Sequence, residues 1–257
     1  MLFDALVAVL LAPLCESCGR VLERPLARAL CDDCWAAIPA LVPPLCVACS
    51  DALPSWRVAD IDGGLCPRCR RVPDRAVARL VAAGPYEGTL RDAVHAFKYR
   101  QRRSLAGPLA RLMARAGRDL LAGADAVVPV PLHPRRRHQR GFNQAALLAR
   151  GLGLPAWDVL RRTRPTAPQV ALPRASRHRN VRGAFRIGGL PMPELASAWL
   201  RRDSDAGRVA GRVLVLVDDV TTTGATLEAC GRVLREAGAR EVRALTAARA
   251  VTRLVSD

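Results

Sequence analysis

The chain has 257 residues, enough for one large domain or for a small module joined to a domain of ordinary size. Half of the residues are apolar, which allows a packed core. Only 4% are aromatic, too few for a stacking platform of the kind that holds single-stranded nucleic acid. The formal charge of +17 rests almost wholly on arginine, since Lys98 is the only lysine, and so broad an arginine usage reads first as codon bias.

Residues 1–14 are apolar but include Asp4, lack a basic start and a small-residue cleavage site, and are too short to cross a bilayer. A short helix packed on the rest of the protein is expected there, with no membrane association. Cysteines follow as four pairs, Cys15/Cys18, Cys31/Cys34, Cys46/Cys49 and Cys66/Cys69. In order they spell C-x2-C-x12-C-x2-C and C-x2-C-x16-C-x2-C, the spacing of two zinc ribbons. Tetrahedral Zn²⁺ takes four thiolates, and a two-residue gap lets one tight turn offer two sulfurs; Gly19 suits such a turn. A redox Cys-x-x-Cys is the competing reading, which four pairs in one short region count against. Which pairs share an ion stays open, crossed pairing included. Long apolar runs are scarce here, so two structural Zn²⁺ ions would supply the stability. Nine cysteines without an export signal point to metal ligands and a cytoplasmic location, not to disulfides. Residues 1–73 hold seven arginines and eight acids, a charge of −1 that does not grip a phosphate backbone. A structural or protein-contact role is expected for this module, and a second domain over 74–257.

Beyond residue 73, strand runs alternate with helical stretches, the pattern of an α/β domain with a parallel sheet. Strands are expected at 77–83, 126–130, 213–217 and 242–246, and helices at 89–99, 143–151 and 225–237. The run 191–211 has no clear period and reads as a loop or insertion. Val213–Val217, VLVLV, lacks alternation and so belongs at the sheet centre, buried on both faces.

That strand leads into the most specific motif, Asp218-Asp219-Val220-Thr221-Thr222-Thr223-Gly224-Ala225-Thr226. Amides at the start of the following helix, together with threonine hydroxyls, form a cradle for a phosphate. Gly224 permits a tight turn, and two carboxylates at a strand end can accept from adjacent sugar hydroxyls. An ordinary strand–loop–helix leaves the two successive acids unexplained. Open α/β sheets bind ligands at this edge. No Gly-Lys-Ser/Thr occurs, which excludes a Walker A loop.

The segment resembles the signature of type I phosphoribosyltransferases that bind phosphoribosyl pyrophosphate (PRPP). The resemblance implies that Asp218 and Asp219 hold the ribose hydroxyls, and that Thr221, Thr222, Thr223, Gly224, Ala225 and Thr226 surround the 5′-phosphate, with Mg²⁺ accompanying PRPP. Val128-Pro-Val-Pro-Leu-His-Pro134, Arg140-Gly-Phe-Asn-Gln144 and Arg177-x-x-Asn180-Val-x-Gly-Ala-Phe185, behind four cysteine pairs, look like the ComF family. That resemblance implies a link with DNA uptake and a protein partner for the zinc module, such as a competence helicase.

Residues 131–186 contain thirteen arginines and a single acid, Asp158. The resemblance sets them around PRPP, on a loop with Arg135, Arg136, Arg137 and Arg140, and on a flexible hood with Arg174, Arg177, Arg179 and Arg182. Of these, Arg135, Arg140, Arg177 and Arg179 are the pyrophosphate candidates. The same block would also suit a single strand of DNA, and it would equally suit a solvated loop face. Lys98 ends its helix, where a cation complements the dipole, and is a secondary pyrophosphate candidate. His95, His133, His138 and His178 show no metal spacing, and Cys230 reads as a small core residue. Two functions follow: an enzyme that transfers the phosphoribosyl group or hydrolyses PRPP, or a binding protein that serves DNA uptake. The acceptor is not legible.

Overall fold

The computed structural model describes residues 14–22, 28–57, 63–164, 183–188 and 205–250. The expected terminal helix, most of the 191–211 run, and Arg174, Arg177, Arg179 and Arg182 lie outside these residues.

Four parallel strands form the sheet: β1 (Arg79–Ala82), β2 (Ala126–Pro129), β5 (Val213–Thr221) and β6 (Glu241–Arg249), in the order β1-β6-β5-β2. The VLVLV strand is central, as its composition requires, and it runs on through both acids to Thr221. Pleat alternation divides its side chains between two cores. Val215 and Val217 join Leu245 and Val127 against α3 (Gly88–Tyr99), α4 (Ala106–Ala116) and α7 (Gln144–Arg150). Leu214 and Leu216 join Val128 and Ala244 against α8 (Ala225–Glu236), whose Leu227, Cys230 and Leu234 face inward. Cys230 is therefore the core residue its helical position suggested.

Several elements were not foreseen. Helix α4, which buries Leu109, Ala110 and Met113, and the turn α5 (Arg118–Leu121) fill the crossover between β1 and β2. The segment expected as an arginine loop is a helix, α6 (Pro134–Arg140). Pro134 supplies a preset first turn, His133 Nδ1 accepts the amide of Arg135 at 3.3 Å, and Gly141 ends the helix in the left-handed region. A two-stranded antiparallel flap, β3 (Leu160–Arg162) with β4 (Phe185–Ile187), covers the α8 face.

The cysteine module is built twice on one plan. Residues 15–20 and 46–51 form equivalent knuckles, with Cys15 N bonded to Arg20 O and Cys46 N to Asp51 O, both at 2.7 Å. A short helix carries the last cysteine of each half: α1 (Asp32–Ala36) starts after Cys31 and holds Cys34, and α2 (Pro67–Arg70) starts after Cys66 and holds Cys69. The first half shares the core of the sheet domain, where Leu22 and Leu30 pack with Leu90 and Phe97. Ser17 Oγ donates to Asp92 Oδ2 at 2.9 Å, and Glu16 pairs with Arg100 and Arg102. No helix among the described residues is long and apolar enough to cross a membrane.

Candidate functional site

The site lies where β5 reaches the C-terminal edge of the sheet. Asp219 is buried and Asp218 half-buried. Lys98, at the end of α3, places its Nζ 2.8 Å from Asp219 Oδ1. Burial works against the Lys98 ammonium, but the charge and hydrogen bond of Asp219 outweigh it and raise its pKa. The amine thus serves a carboxylate across the site, not only the end of its own helix. Asp218 Oδ1 accepts the amide of Asp219 at 2.8 Å. Burial, and then the charge of Asp219, push the Asp218 carboxyl up to about 7, with Lys98 opposing.

The loop after β5 leaves donors uncommitted. The hydroxyls of Thr221 and Thr222 are buried and have no hydrogen-bond partner among the described residues. Unmatched buried hydroxyls are costly, so this pair is available to bond with a ligand's oxygens. The amides of Thr222, Thr223 and Gly224 likewise meet no described acceptor. Thr223 Oγ1 is engaged in accepting the amide of Ala225 at 3.4 Å, which shapes the turn. Gly224 precedes α8 with φ +77°. A β-carbon there would have room, its nearest neighbour being Thr221 Oγ1 at 4.0 Å, so it is the backbone conformation that calls for glycine. Ala225 and Thr226 open the 12-residue helix.

Cations gather opposite. Arg140 lies 5.3 Å above the Tyr99 ring and donates to Gln144 Oε1 at 3.3 Å, while Arg135 is exposed. Sequence reasoning missed Arg162, on β3, which lies 5.3 Å from the Phe185 ring centre. Burial, then the charge of Arg136, lower its pKa, while Cys230 and Asp218 pull the other way. Burial and then Arg140 lower Arg136 in turn. Arg136 thus stands between two other guanidinium groups, and an anion placed among them would be stabilised. The signal in the sequence was the arginine block; a strand at 160–162 would have singled out Arg162. Arg177 and Arg179 lie outside the described residues.

The eight cysteines gather as Cys15, Cys18, Cys31 and Cys34, and as Cys46, Cys49, Cys66 and Cys69, the ligand atoms of each set lying within 4.8 Å of one another. Pairing is sequential, not crossed. A tetrahedral ion with bonds of about 2.3 Å holds its sulfurs about 3.8 Å apart. Cys18 and Cys31 Sγ are 3.7 Å apart, and Cys49 and Cys66 Sγ 3.8 Å. The amides of Cys31 and Cys66 point to the sulfurs of Cys15 and Cys46, at 3.4 and 3.3 Å, as thiolates bound to a metal require. Both sets can therefore hold a metal ion.

The phosphoribosyl transferase domain family matches residues 138–255. DNA utilization protein YhgH of Salmonella typhimurium is 34% identical over 242 residues, which cover 89% of this chain and 87% of the relative. Competence protein F of Haemophilus influenzae is 30% identical over 233 residues, covering 87% of this chain and 91% of that protein. Among solved structures, the allosteric regulatory enzyme of purine biosynthesis aligns at 22% identity with a TM-score of 0.35, over 60% of this chain and 30% of that one.

Proposed function

Since this chain belongs to the ComF family, which joins two four-cysteine clusters to a phosphoribosyltransferase-type domain, we propose that it binds PRPP at the loop after β5. The observation that carries the reading is the pair of buried, unpartnered hydroxyls on Thr221 and Thr222 beside the free amides of the loop. The 5′-phosphate occupies that cradle, and Asp218 and Asp219 face the ribose hydroxyls. Arg136, Arg140 and Arg162 attend the pyrophosphate. In transfer, the acceptor's nucleophile bonds to C1′ while the C1′–O bond breaks and pyrophosphate leaves with the electron pair; with water as acceptor the reaction is hydrolysis. One well-placed electrostatic group contributes about 2.7–4 kcal/mol to such a step. Asp218, with the ligand's own hydroxyls and pyrophosphate, is a hard oxygen set that fits Mg²⁺, which would neutralise the leaving group. Each cysteine cluster is closed by four protein sulfurs, which fits structural Zn²⁺ in a reducing, cytoplasmic setting.

Calorimetry with PRPP and magnesium tests the reading. Asp218→Asn should weaken binding at least tenfold, and equal affinity in both proteins would remove the site. Asp218 is the better choice because changing Asp219 also strips Lys98 of its partner.

A second reading rests on a groove of about 690 Å³ lined by Arg137, Arg150, Arg161, Arg162 and Arg186, with Asp158 its one acid. A single strand of DNA would suit it, in keeping with relatives named for competence and DNA utilization. Neutralising six phosphates would give a salt slope of about −5. A flat salt dependence would leave only the PRPP reading.

A further inference from the structure

We infer that the second cysteine cluster is the back wall of the phosphate loop, and that Arg249 is the positioning residue that transmits the state of that cluster to Thr221–Gly224. Arg249 ends β6 directly across the ladder from Thr221, and the amide of Ala250 donates to Thr221 O at 2.9 Å. Its side chain is 1% exposed. Nη1 donates to the carbonyl of Cys49 at 2.7 Å, Nε to Asp51 Oδ1 at 3.2 Å, and Nη2 lies 3.7 Å from Cys49 Sγ. One residue therefore flanks the loop with its backbone and clamps the second knuckle with its side chain.

A second link runs through α8. Glu228, in its first turn, accepts the amides of Ala76 at 2.6 Å and Val77 at 3.3 Å, on the segment that leaves Cys69. Between the two links lies a cavity of about 80 Å³ whose walls include Cys49, Arg68 and Cys69 on one side and Thr223 and Gly224 on the other. The first cysteine cluster has no residue on this cavity and is tied instead to α3 through Ser17 and to the turn after α3 through Glu16. An asymmetry follows: the loop is sensitive to the metal of Cys46, Cys49, Cys66 and Cys69. A loop that is ordered by this cluster, and a cluster that is braced by the loop, are coupled reciprocally.

Hydrogen exchange on the full zinc-loaded chain tests this without any ligand. Metal is withdrawn gradually with a chelator while exchange is followed over 15–34, 46–69 and the hydrogen-bonded amides of 219–226, among them Asp219 and Ala225. Exchange at 219–226 should rise at least tenfold in step with 46–69, whatever happens at 15–34. A loop that keeps its protection after 46–69 has opened overturns the inference. Arg249→Gln, with both zinc ions retained, should loosen 219–226 by a similar factor, and an unchanged loop removes the role given to Arg249. A further arm rests on the PRPP reading and uses ribose 5-phosphate as the probe. When calorimetry records its binding, it should slow release of the second zinc at least threefold in the native chain; equal release rates with the sugar bound would contradict the coupling. If calorimetry records binding of neither ribose 5-phosphate nor PRPP, the PRPP reading falls, while the exchange measurements still decide the inference.

Discussion

The sole amine side chain of the protein, Lys98, lies 2.8 Å from a carboxylate oxygen of Asp219, with both side chains largely withdrawn from solvent. The pair joins the end of α3 to the acid motif on β5, so the acids meet the cleft with one charge already balanced. Breaking a buried pair from one side leaves an uncompensated charge, at a cost of about 3–5 kcal/mol. Lys98→Met should destabilise the protein by that order in urea unfolding. Lys98→Met/Asp219→Asn should recover most of the loss. Equal stability of the single variant and the native chain would show that the pair is not coupled.

Asp218 sets a pH dependence. Its carboxyl is raised to about 7 by burial and by Asp219, and only the ionised form accepts two sugar hydroxyls. A raised acid holds its proton in the folded state, so its contribution to folding stability declines as pH rises from about 4 to about 7. Binding of ribose 5-phosphate should weaken as pH falls from 8 to 6, more steeply than in Asp218→Asn, whose remaining slope is that of the phosphate's own second ionisation. Parallel profiles would show that Asp218 does not titrate in this range.

Thr222 separates binding from folding. Its hydroxyl is buried without a partner, so Thr222→Val removes an unsatisfied group and should leave the melting temperature unchanged or higher. Phosphate affinity should fall about tenfold, the equivalent of one hydrogen bond to a charged group. Gly224→Ala should lower stability by about 1–2 kcal/mol, because φ is +77° there. A variant at Thr222 that loses stability while keeping affinity would contradict the cradle.

Metal should govern the whole protein, not only its first third. Leu22 and Leu30, held by the first cysteine cluster, share a core with Leu90 and Phe97 of α3. Elemental analysis should return two zinc ions, and Cys34→Ser should lower the melting temperature of a single cooperative transition. Two separate transitions, with only one shifted, would show that the module folds apart from the sheet domain.

What the sequence revealed was local. VLVLV, the twin acids, the threonine–glycine turn and the cysteine pairs each lie within a few residues, and their chemistry is written in their spacing. The sheet order and the pairing of Lys98 with Asp219 arise only when distant segments meet. Nothing in the local sequence marks Arg249, three residues past the strand expected at 242–246, as buried against Cys49 and Asp51. The resemblance puts Arg135–Arg140 on a loop, whereas Pro134 favours the first turn of the helix found there.

A crystal structure with PRPP and magnesium tests the phosphate cradle most directly. The 5′-phosphate is expected against the amides and hydroxyls of residues 221–226, with the ribose hydroxyls at Asp218 and Asp219. Density for PRPP elsewhere on the protein, with that turn left empty, would contradict it.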